Sequence, residues 1–324
     1  MALNQTDMDI EELRSFMPNV VEPLDFDDFW AQTIAESKKL SSPLSKTPVQ
    51  SPVEAFDVFD MSFSGFGGEM VKAWGIFPKG ARNLPTIVEF CGYGGGRGMP
   101  WEHLEWPSAG FSFIMMDTRG QGSVWGSGGD TPDPHGSGSA VPGFMSKGIE
   151  DKSEYYYRRL FTDAVLLVDE VSGLAEVNPS QIAVTGGSQG GGISLACAAL
   201  NPAVKTVMPD VPFLCNFERS IRLTPREPFT EITRYLSVHR SRQAQVLDVL
   251  SYFDGVNFAR RIVQPALLSV GLMDEVVLPS TVFAAYNHLA SADKEIAVFA
   301  FNGHEGGGMQ HWATKVQWAW SKLV

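Results

Sequence analysis

The sequence predicts an α/β fold, in which a mostly parallel, twisted β-sheet is covered by helices on both faces. Short apolar runs that end at turn residues are typical of buried parallel strands, and here they alternate with helix-like patterns. The chain has 324 residues, of which 44% are hydrophobic and 19% charged, so it can bury a substantial core. One domain with a helical insertion explains this pattern more economically than two, and we expect a single domain over 1–324.

The first part of the chain is expected to lead into the sheet. Residues 1–50 form a predicted N-terminal extension with a helix that ends near Lys39, and a Ser/Pro-rich loop covers 41–52. The strands predicted next lie at 53–62, 70–78, 86–90 and 111–116, with a glycine-rich hairpin turn between the first two. Residues 123–150 are rich in Gly, Pro and Ser and predict a long surface loop of a kind that is often functional.

Strand–helix alternation continues in the second half of the chain. Apolar residues at near-helical spacing predict a helix over 155–177. The later strands are predicted at 182–185, 206–211, 266–270 and 296–301, and the later helices at 190–200, 281–289 and 310–320. Residues 213–258 break the alternation, since their largely helical pattern is interrupted by Pro225 and Pro228. We interpret 213–258 as an insertion or cap over the sheet.

Composition and charge exclude several classes of function. The net charge of −12 repels phosphate backbones and anionic lipid surfaces, so neither nucleic acid nor a membrane is an expected partner. The three cysteines form no C-x-x-C pair, which favours a reducing compartment. The acidic first residues do not resemble a signal peptide, and no run approaches a membrane span of about 18 apolar residues. We therefore expect a cytoplasmic protein.

The glycine-rich stretch Val184-Thr-Gly-Gly-Ser-Gln-Gly-Gly-Gly-Ile193 contains the pattern G-x-S-x-G, which spans Gly186 to Gly190. A predicted strand precedes it and a predicted helix follows, as a nucleophile elbow requires. Small flanking residues let strand and helix approach, and the sharp turn lifts the serine hydroxyl clear of the sheet. Ser188 is therefore predicted to be a catalytic nucleophile on an α/β-hydrolase fold.

A nucleophilic serine needs a base, and the base needs an acid that orients it. In α/β-hydrolases these follow in the order Ser, Asp or Glu, His. Asp274 and His304 have that order, and each comes just after a predicted strand, where open α/β sheets place their sites.

Other residues could replace members of this triad. His288 and His311 fall within predicted helices, and Glu275 and Glu305 adjoin the chosen pair but would need a different geometry at the strand ends.

An oxyanion hole would complete the machinery. One donor is expected to be the N–H of Gln189, the residue after the nucleophile, and the other should come from the loop after an earlier strand. The cluster Gly92-Tyr-Gly-Gly-Gly96 occupies that place, so the Tyr93 N–H is our candidate. A plain glycine-rich turn is the alternative interpretation of this cluster.

With these motifs the sequence resembles the acetyl xylan esterase/cephalosporin C deacetylase family (carbohydrate esterase family 7). Its three motifs, RGQ, G-x-S-Q-G and HE, are present here in the family's order. They correspond to Arg119-Gly120-Gln121, Gly186-Gly-Ser-Gln-Gly190 and His304-Glu305. Similar flanking segments lie at 106–111, 117–121, 228–232 and 271–275, and the similarity spans nearly the whole chain.

The resemblance implies the triad Ser188–His304–Asp274, with the Tyr93 and Gln189 amides as the oxyanion hole. It implies release of acetate from small acetylated substrates, such as acetylated xylo-oligosaccharides and cephalosporin C. It also implies an acetyl-enzyme intermediate, no cofactor or metal, and assembly as a homo-hexamer whose active sites face an inner cavity.

The sequence departs from the family in two places. Cys91 stands where the family usually has a histidine before the Gly-Tyr of the oxyanion loop, and a small packing residue is its simplest interpretation. Trp125 replaces small residues in the distinctive loop over 122–143, which we expect to border the pocket. Arg119 is interpreted as a structural arginine that bonds loop carbonyls and an acidic partner, with direct substrate contact as the alternative, and Glu305 as support for the His304 loop.

Three other functions stay open from the sequence. A broad-specificity short-chain esterase or lactonase on non-sugar compounds would use the same machinery. A peptidase of the prolyl-oligopeptidase type would normally carry a large propeller domain, and we find no internal repeat. A non-catalytic binding scaffold would not need an intact triad.

Overall fold

The computed structural model describes residues 7–135 and 143–324, and one sheet of nine strands runs through them. In chain order the strands are β1 (Ser45–Pro48), β2 (Phe56–Ser64), β3 (Met70–Pro78), β4 (Leu84–Phe90), β5 (Ser112–Met116), β6 (Val177–Gly187), β7 (Val204–Asp210), β8 (Ala266–Gly271) and β9 (Lys294–Phe299). Their spatial order is β1-β2-β3-β5-β4-β6-β7-β8-β9. Strands β4 to β9 pair in parallel, and β1 to β3 add an antiparallel edge.

Helices cover both faces of this sheet. In chain order they are α1 (Ile10–Ser15), α2 (Phe26–Lys38), α3 (Glu105–Ser108), α4 (Tyr156–Val171), α5 (Gln189–Leu200), α6 (Phe217–Leu223), α7 (Phe229–Val238), α8 (Gln243–Ser251), α9 (Gly255–Ala259), α10 (Pro279–His288) and α11 (Gly308–Leu323). Successive strand residues point to opposite faces. Val88 of β4 accordingly packs into the larger core with α2, α4, α5, α9 and α10, whereas Ile87 packs into a smaller core with α3 and α11.

The predicted α/β fold class is confirmed, and most predicted elements are present within a few residues of their expected bounds. Strand β1 is a correction, because Ser45–Pro48 lies in the segment predicted to be a loop. Its residues are largely exposed and show no apolar alternation; it is a strand because it pairs with β2 at the sheet edge. The short helices α1 and α3 were also not predicted, since neither is long enough to show a helical period.

The segments at the N-terminus and after β7 both pack against the sheet domain. Leu13 of α1, and Phe26 and Trp30 of α2, are buried in the larger core. The region predicted as a helical insertion contains α6 to α9 and shares that core through residues such as Phe229. The division into a single domain with an extension over 1–50 and an insertion over 213–258 stays a prediction. Residues 1–6 of that extension lie outside the described residues.

The chain order of the strands creates a crevice at one edge of the sheet. From β4 the chain continues to β5 on one side, whereas from β6 it continues to β7 on the other. Open α/β sheets bind ligands at such a switch point, outside the carboxyl ends of the strands. The loops after β4 and β6 carry Tyr93 and Ser188, so both face this crevice. In the described part of the chain, no helix is long and apolar enough to cross a membrane.

Candidate active site

Ser188 sits at a strained turn between β6 and α5. Its backbone has φ 56° and ψ −115°, a left-handed conformation that is costly for a residue with a side chain. Two hydrogen bonds from β7 and the following loop hold it there. The Ser188 N–H donates to the Asp210 carbonyl at 2.9 Å, and the Phe213 N–H donates to the Ser188 carbonyl at 2.9 Å. The strain is therefore imposed by neighbouring backbone rather than by local sequence.

The glycines of the motif are needed because β4 passes directly beside the turn. A Cβ on Gly190 would lie 2.0 Å from the Phe90 carbonyl oxygen, and one on Gly186 would lie 2.6 Å from the same atom. A Cβ on Gly187, by contrast, would meet no heavy atom within 4 Å. The first and last glycines of G-x-S-x-G, Gly186 and Gly190, thus permit the close approach of strand and helix. Gly187, the second residue of the motif, is not needed for that approach.

Asp274 and His304 form a hydrogen-bonded pair after β8 and β9. Nδ1 of His304 lies 2.8 Å from Oδ2 of Asp274, and because a carboxylate can only accept, Nδ1 carries the proton. The other carboxylate oxygen accepts the N–H groups of Val276 and Val277 at 2.8 and 2.9 Å. Asp274 is buried, whereas the His304 side chain is 35% exposed. This arrangement leaves Nε2 of His304 free to accept a proton.

Ser188 and His304 line the same cavity, which has a volume of about 800 Å³ and opens at the sheet crevice. Within the described residues the Ser188 hydroxyl makes no hydrogen bond. Such bonds are often loose without substrate and tighten in the reacting complex. The structure therefore brings together the three residues predicted as a triad, with the Asp–His bond formed.

The two predicted oxyanion donors are free. Neither the Tyr93 N–H nor the Gln189 N–H donates to any acceptor in the described residues. Tyr93 follows β4 and Gln189 opens α5 after β6, and Phe90 pairs with Gly186 where these strands end. The helix N-terminus adds a positive dipole end beside Gln189. Two unpaired N–H groups on adjacent loops are suited to bind a developing negative charge.

Two buried glutamine side chains join the predicted oxyanion loop to the elbow. Gln121 Nε2 donates to Gln189 Oε1 at 3.0 Å, and Gln121 Oε1 accepts the Gly94 N–H at 2.6 Å. Gln189 Nε2 donates to the Cys91 carbonyl at 3.2 Å. The glutamines of the RGQ and G-x-S-Q-G motifs therefore act together. The sequence predicts no joint role for these two glutamines, although both belong to the family motifs.

Arg119 lies outside the cavity, in a buried ion-pair network. Its guanidinium donates to both carboxylate oxygens of Asp163, at 2.5 and 2.8 Å, and to Glu69 at 2.6 Å. Its side chain is fully buried and does not line the cavity. Arg119 has the acidic partner that the structural interpretation expects, in Asp163 and Glu69, whereas its guanidinium bonds no loop carbonyl among the described residues. Gly120, next in the motif, has φ 69°, which favours glycine at this turn.

Glu305 braces the turn that carries His304. Its carboxylate accepts the Gly303 N–H at 3.0 Å and the Asn302 amide at 2.6 Å. The hydrogen bond from Asn302 is the main reason that the pKa of Glu305 is lowered. A Cβ on Gly271 at the end of β8 would lie 2.2 Å from the Gly303 carbonyl oxygen, so this turn packs closely on the strand that leads to Asp274.

The alternative residues have other partners. His288 bonds the Ala284 carbonyl within α10, and His311 lies 3.1 Å from the Asp210 carboxylate. Glu275 pairs with Arg226. Neither His288 nor His311 lines the cavity that contains Ser188.

The two positions that depart from the family pattern both lie at the cavity. Cys91 is buried, its thiol contacts the Gly96 carbonyl at 3.3 Å, and burial is the main reason that its pKa rises to about 12. It therefore behaves as a packing residue. Trp125 lies in the cavity wall and donates its indole N–H to the Tyr93 carbonyl at 2.7 Å. The described residues 124–127 of the distinctive loop border the cavity, and 136–142 lie outside the described residues.

No group of three or more His, Cys, Asp or Glu residues in the described ranges is arranged to hold a metal ion.

Comparison with known proteins places these features in a family. The model of the acetyl xylan esterase (AXE1) family matches residues 1–322. Acetyl xylan esterase from Paenibacillus sp. R4 is 36% identical, with 98% of this chain and 100% of that one covered and a TM-score of 0.91. Acetyl xylan esterase 1 from Thermoanaerobacterium sp. JW/SL YS485 is 34% identical, with 96% and 98% covered and a TM-score of 0.88.

A longer relative is also similar. Acetyl esterase Axe7A from Xylanibacter ruminicola is 25% identical over 308 residues. The match covers 92% of this chain but 65% of that protein, so the chain spans somewhat under two thirds of its length. The solved structures confirm the predicted α/β-hydrolase fold.

The elbow glycines yield a matched pair of substitutions. We expect Gly190→Ala to destabilise the protein by about 1–3 kcal/mol or more, since its methyl group would collide with the Phe90 carbonyl. Gly187→Ala should change stability little, because space is open there. Chemical denaturation of both variants measures the difference. Equal stability of the two would show that β4 does not restrict the turn as described.

Proposed function

We propose that this chain, which belongs to the acetyl xylan esterase family, is a serine esterase that removes acetyl groups from small acetylated carbohydrates. The observation that carries the proposal is one cavity that contains both the strained Ser188 and the Asp274-bonded His304. Family membership supports acetyl esters as the substrates, and the residues at the cavity support the serine mechanism.

In the first half of the proposed reaction the Ser188 oxygen attacks the acetyl carbonyl carbon. His304 Nε2 accepts the serine proton, and the carbonyl π electrons move onto oxygen to form a tetrahedral oxyanion. The Tyr93 and Gln189 N–H groups bind that oxyanion, and each such donor is typically worth about 3 kcal/mol of barrier. The intermediate collapses, the bond between the acetyl carbon and the sugar oxygen breaks, and His304 passes its proton to that oxygen as the alcohol leaves.

The second half returns the enzyme to its starting state. Water replaces the alcohol, gives a proton to His304, and attacks the acetyl group on Ser188. A second tetrahedral intermediate releases acetic acid and restores the serine hydroxyl. Asp274 keeps the imidazole in the Nδ1–H tautomer and stabilises its charged form, and the two N–H groups from the Val276–Val277 backbone hold the carboxylate in place.

The charge of the cavity favours some acetyl esters over others. The described residues that line it include Glu89, Glu102, Asp210, Glu227 and Glu305, and no Lys or Arg. Asp210 is neutralised by Lys315 at 2.5 Å, and Glu227 is paired with Arg234.

Glu102 and Glu305 form no ion pair in the described part of the chain. Their pKa values are lowered by hydrogen bonds, mainly from Ser127 and Asn302 respectively, so both stay charged at neutral pH. Uncharged acetylated xylo-oligosaccharides suit such a cavity. Cephalosporin C, a net anion, is the less favoured of the two substrate types implied by the family resemblance.

A second candidate is a broad-specificity short-chain esterase or lactonase on non-sugar compounds. The observation in its favour is the exposed apolar wall formed by Val124 and Trp125, which could accept varied alcohol groups. Hydrolysis rates along a series of acyl chain lengths separate the two, because a steep fall beyond propionyl supports deacetylation and a flat profile supports the second candidate.

We also propose, from the family resemblance, that the chain assembles as a homo-hexamer, and, from its cysteine pattern and its acidic first residues, that it acts in the cytoplasm. A single domain over 1–324, with an extension over 1–50 and a helical insertion over 213–258, completes the proposal. The shared larger core supports it, because α2 and α7 contribute Trp30 and Phe229 to the same buried cluster.

Replacement of the nucleophile tests the mechanism. We expect Ser188→Ala to lower kcat for p-nitrophenyl acetate by about 10⁴-fold or more while the fold persists. Ser194→Ala, which removes a buried serine of α5 that bonds the Gly190 carbonyl, is the control and should keep most activity. Turnover by Ser188→Ala close to that of the wild type would refute the assignment.

Ionic strength tests the charge of the cavity. We expect kcat/KM for cephalosporin C to rise about threefold or more when salt screens the carboxylates, and kcat/KM for neutral p-nitrophenyl acetate to stay nearly constant. Glu102→Gln should reduce the salt effect on the anion. Equal salt dependence for both esters would contradict electrostatic selection at this cavity.

A further inference from the structure

We propose that Glu231, on helix α7 of the insertion, is a positioning residue that holds the Tyr93 backbone in place to bind the oxyanion. The inference rests on the proposed function, because it assumes that the Tyr93 N–H is an oxyanion donor. It assigns a role in the deacetylation reaction to a carboxylate that lies on a separate element from the triad and the oxyanion loop.

The first support is the set of contacts that Glu231 makes. One carboxylate oxygen accepts the Tyr93 hydroxyl at 2.6 Å, and the other accepts the Met145 N–H at 3.0 Å. The Tyr93 hydroxyl in turn accepts the Phe144 N–H at 2.8 Å. One carboxylate therefore links the insertion, the oxyanion loop and the segment that precedes α4.

The second support is the cost of placing a carboxylate there. Glu231 is 8% exposed, and no Lys, Arg or His forms an ion pair with it in the described ranges. Burial of a charge without a counter-ion is expensive unless hydrogen bonds compensate. The Tyr93 hydroxyl and the Met145 N–H supply that compensation, so the geometry of the loop and the charge of Glu231 depend on each other.

The third support is close backbone packing. A Cβ on Gly143 would lie 2.1 Å from the carboxyl carbon of Glu231. Gly143 also has φ 125°, a conformation that favours glycine. The segment before α4 therefore closes directly over the carboxylate and leaves it little freedom to move.

Contacts on several sides hold Tyr93 in place. Its hydroxyl is bound to Glu231, and its carbonyl accepts the Trp125 indole N–H at 2.7 Å. Its ring packs edge-on against Phe144 and Phe213, with centroids 5.8 and 6.5 Å away. Every polar group of Tyr93 except its N–H is thus engaged. A donor held rigidly before the reaction is what oxyanion stabilisation requires.

The elbow shares the same packing. The Phe213 N–H bonds the Ser188 carbonyl at 2.9 Å, and the Phe213 ring contacts Phe229 of α7 at 4.3 Å between centroids. Helix α7 therefore contacts both halves of the oxyanion machinery, through Glu231 at Tyr93 and through Phe229 and Phe213 at the turn. A small shift of α7 would move the Tyr93 N–H relative to Ser188.

A positioning role and a merely structural role differ in what they change. Loss of position weakens binding of the oxyanion but not of the ground-state ester, so kcat should fall with little change in KM. A boronic acid forms a tetrahedral anionic adduct with the serine, so its affinity reports the same loss. A variant that is only less stable would keep the same kcat and the same affinity for boronic acid in its folded molecules.

The test uses Glu231→Gln, Tyr93→Phe and the double variant of the full chain, assayed with p-nitrophenyl acetate at alkaline pH. We expect kcat to fall about 10–100-fold in each single variant, with KM within about twofold and with boronic acid affinity lowered in proportion to kcat. Glu231→Gln leaves one acceptor oxygen for the two donors that the carboxylate accepts, and Tyr93→Phe removes one of those donors. The double variant should lose little more than either single variant, because both disrupt the same contact between α7 and Tyr93. Glu218→Gln, an exposed carboxylate of the neighbouring helix α6, is the control and should match the wild type.

Several outcomes would overturn the proposal. These are wild-type kcat and boronic acid affinity in the single variants, additive losses in the double variant, or a loss confined to KM. If Glu231→Gln does not fold, Tyr93→Phe alone decides, because it removes the hydroxyl that Glu231 accepts. An active Ser188→Ala would instead refute the proposed mechanism itself, so the two failures are distinguishable.

Discussion

The strained backbone of Ser188 is the constraint on which the arrangement of the site depends. A left-handed serine can persist only where surrounding structure fixes it. Here β7 supplies an acceptor through Asp210, and the loop after β7 supplies a donor through Phe213. Strand β4 leaves room only for glycine at positions 186 and 190. The same packing that imposes the strain places the start of α5 directly after Ser188, where the Gln189 N–H has no acceptor in the described residues. Strain, exposure of the hydroxyl and the free Gln189 amide thus have one cause.

Around this turn, the polar groups differ in whether they are hydrogen-bonded, and the difference matches the role proposed for each. Groups that must keep a fixed position are hydrogen-bonded to the protein. These are the Gln121 and Gln189 side chains and Oδ1 of Asp274. Groups that must meet substrate are free, as with the Ser188 hydroxyl and the amides of Tyr93 and Gln189. Buried polar groups normally find partners, so this division separates supporting residues from those proposed to react.

The sequence was informative where the relevant physics is local. Buried strands such as β8 and the elbow glycines leave a clear pattern within a few residues, and chain order then pointed to Asp274 and His304. Edge strand β1 left no such pattern, because its pairing with β2 and not its composition makes it a strand. Glu231 lies on the insertion and Tyr93 follows β4, 138 positions earlier in the chain. No local sequence pattern therefore predicts the contact between them. For Arg119 the sequence predicts an acidic partner but cannot identify it, because Asp163 lies 44 positions away on α4.

Covalent labelling with a fluorophosphonate tests most directly whether Ser188 is a nucleophile activated by His304. The probe reacts with a serine only when a base activates the serine hydroxyl and an oxyanion site binds the phosphonyl oxygen of the probe. We expect one label per chain, on the peptide that contains Ser188, and we expect labelling to be lost in His304→Ala. A label on a different residue, undiminished labelling of His304→Ala, or no label on the active wild-type enzyme would contradict it.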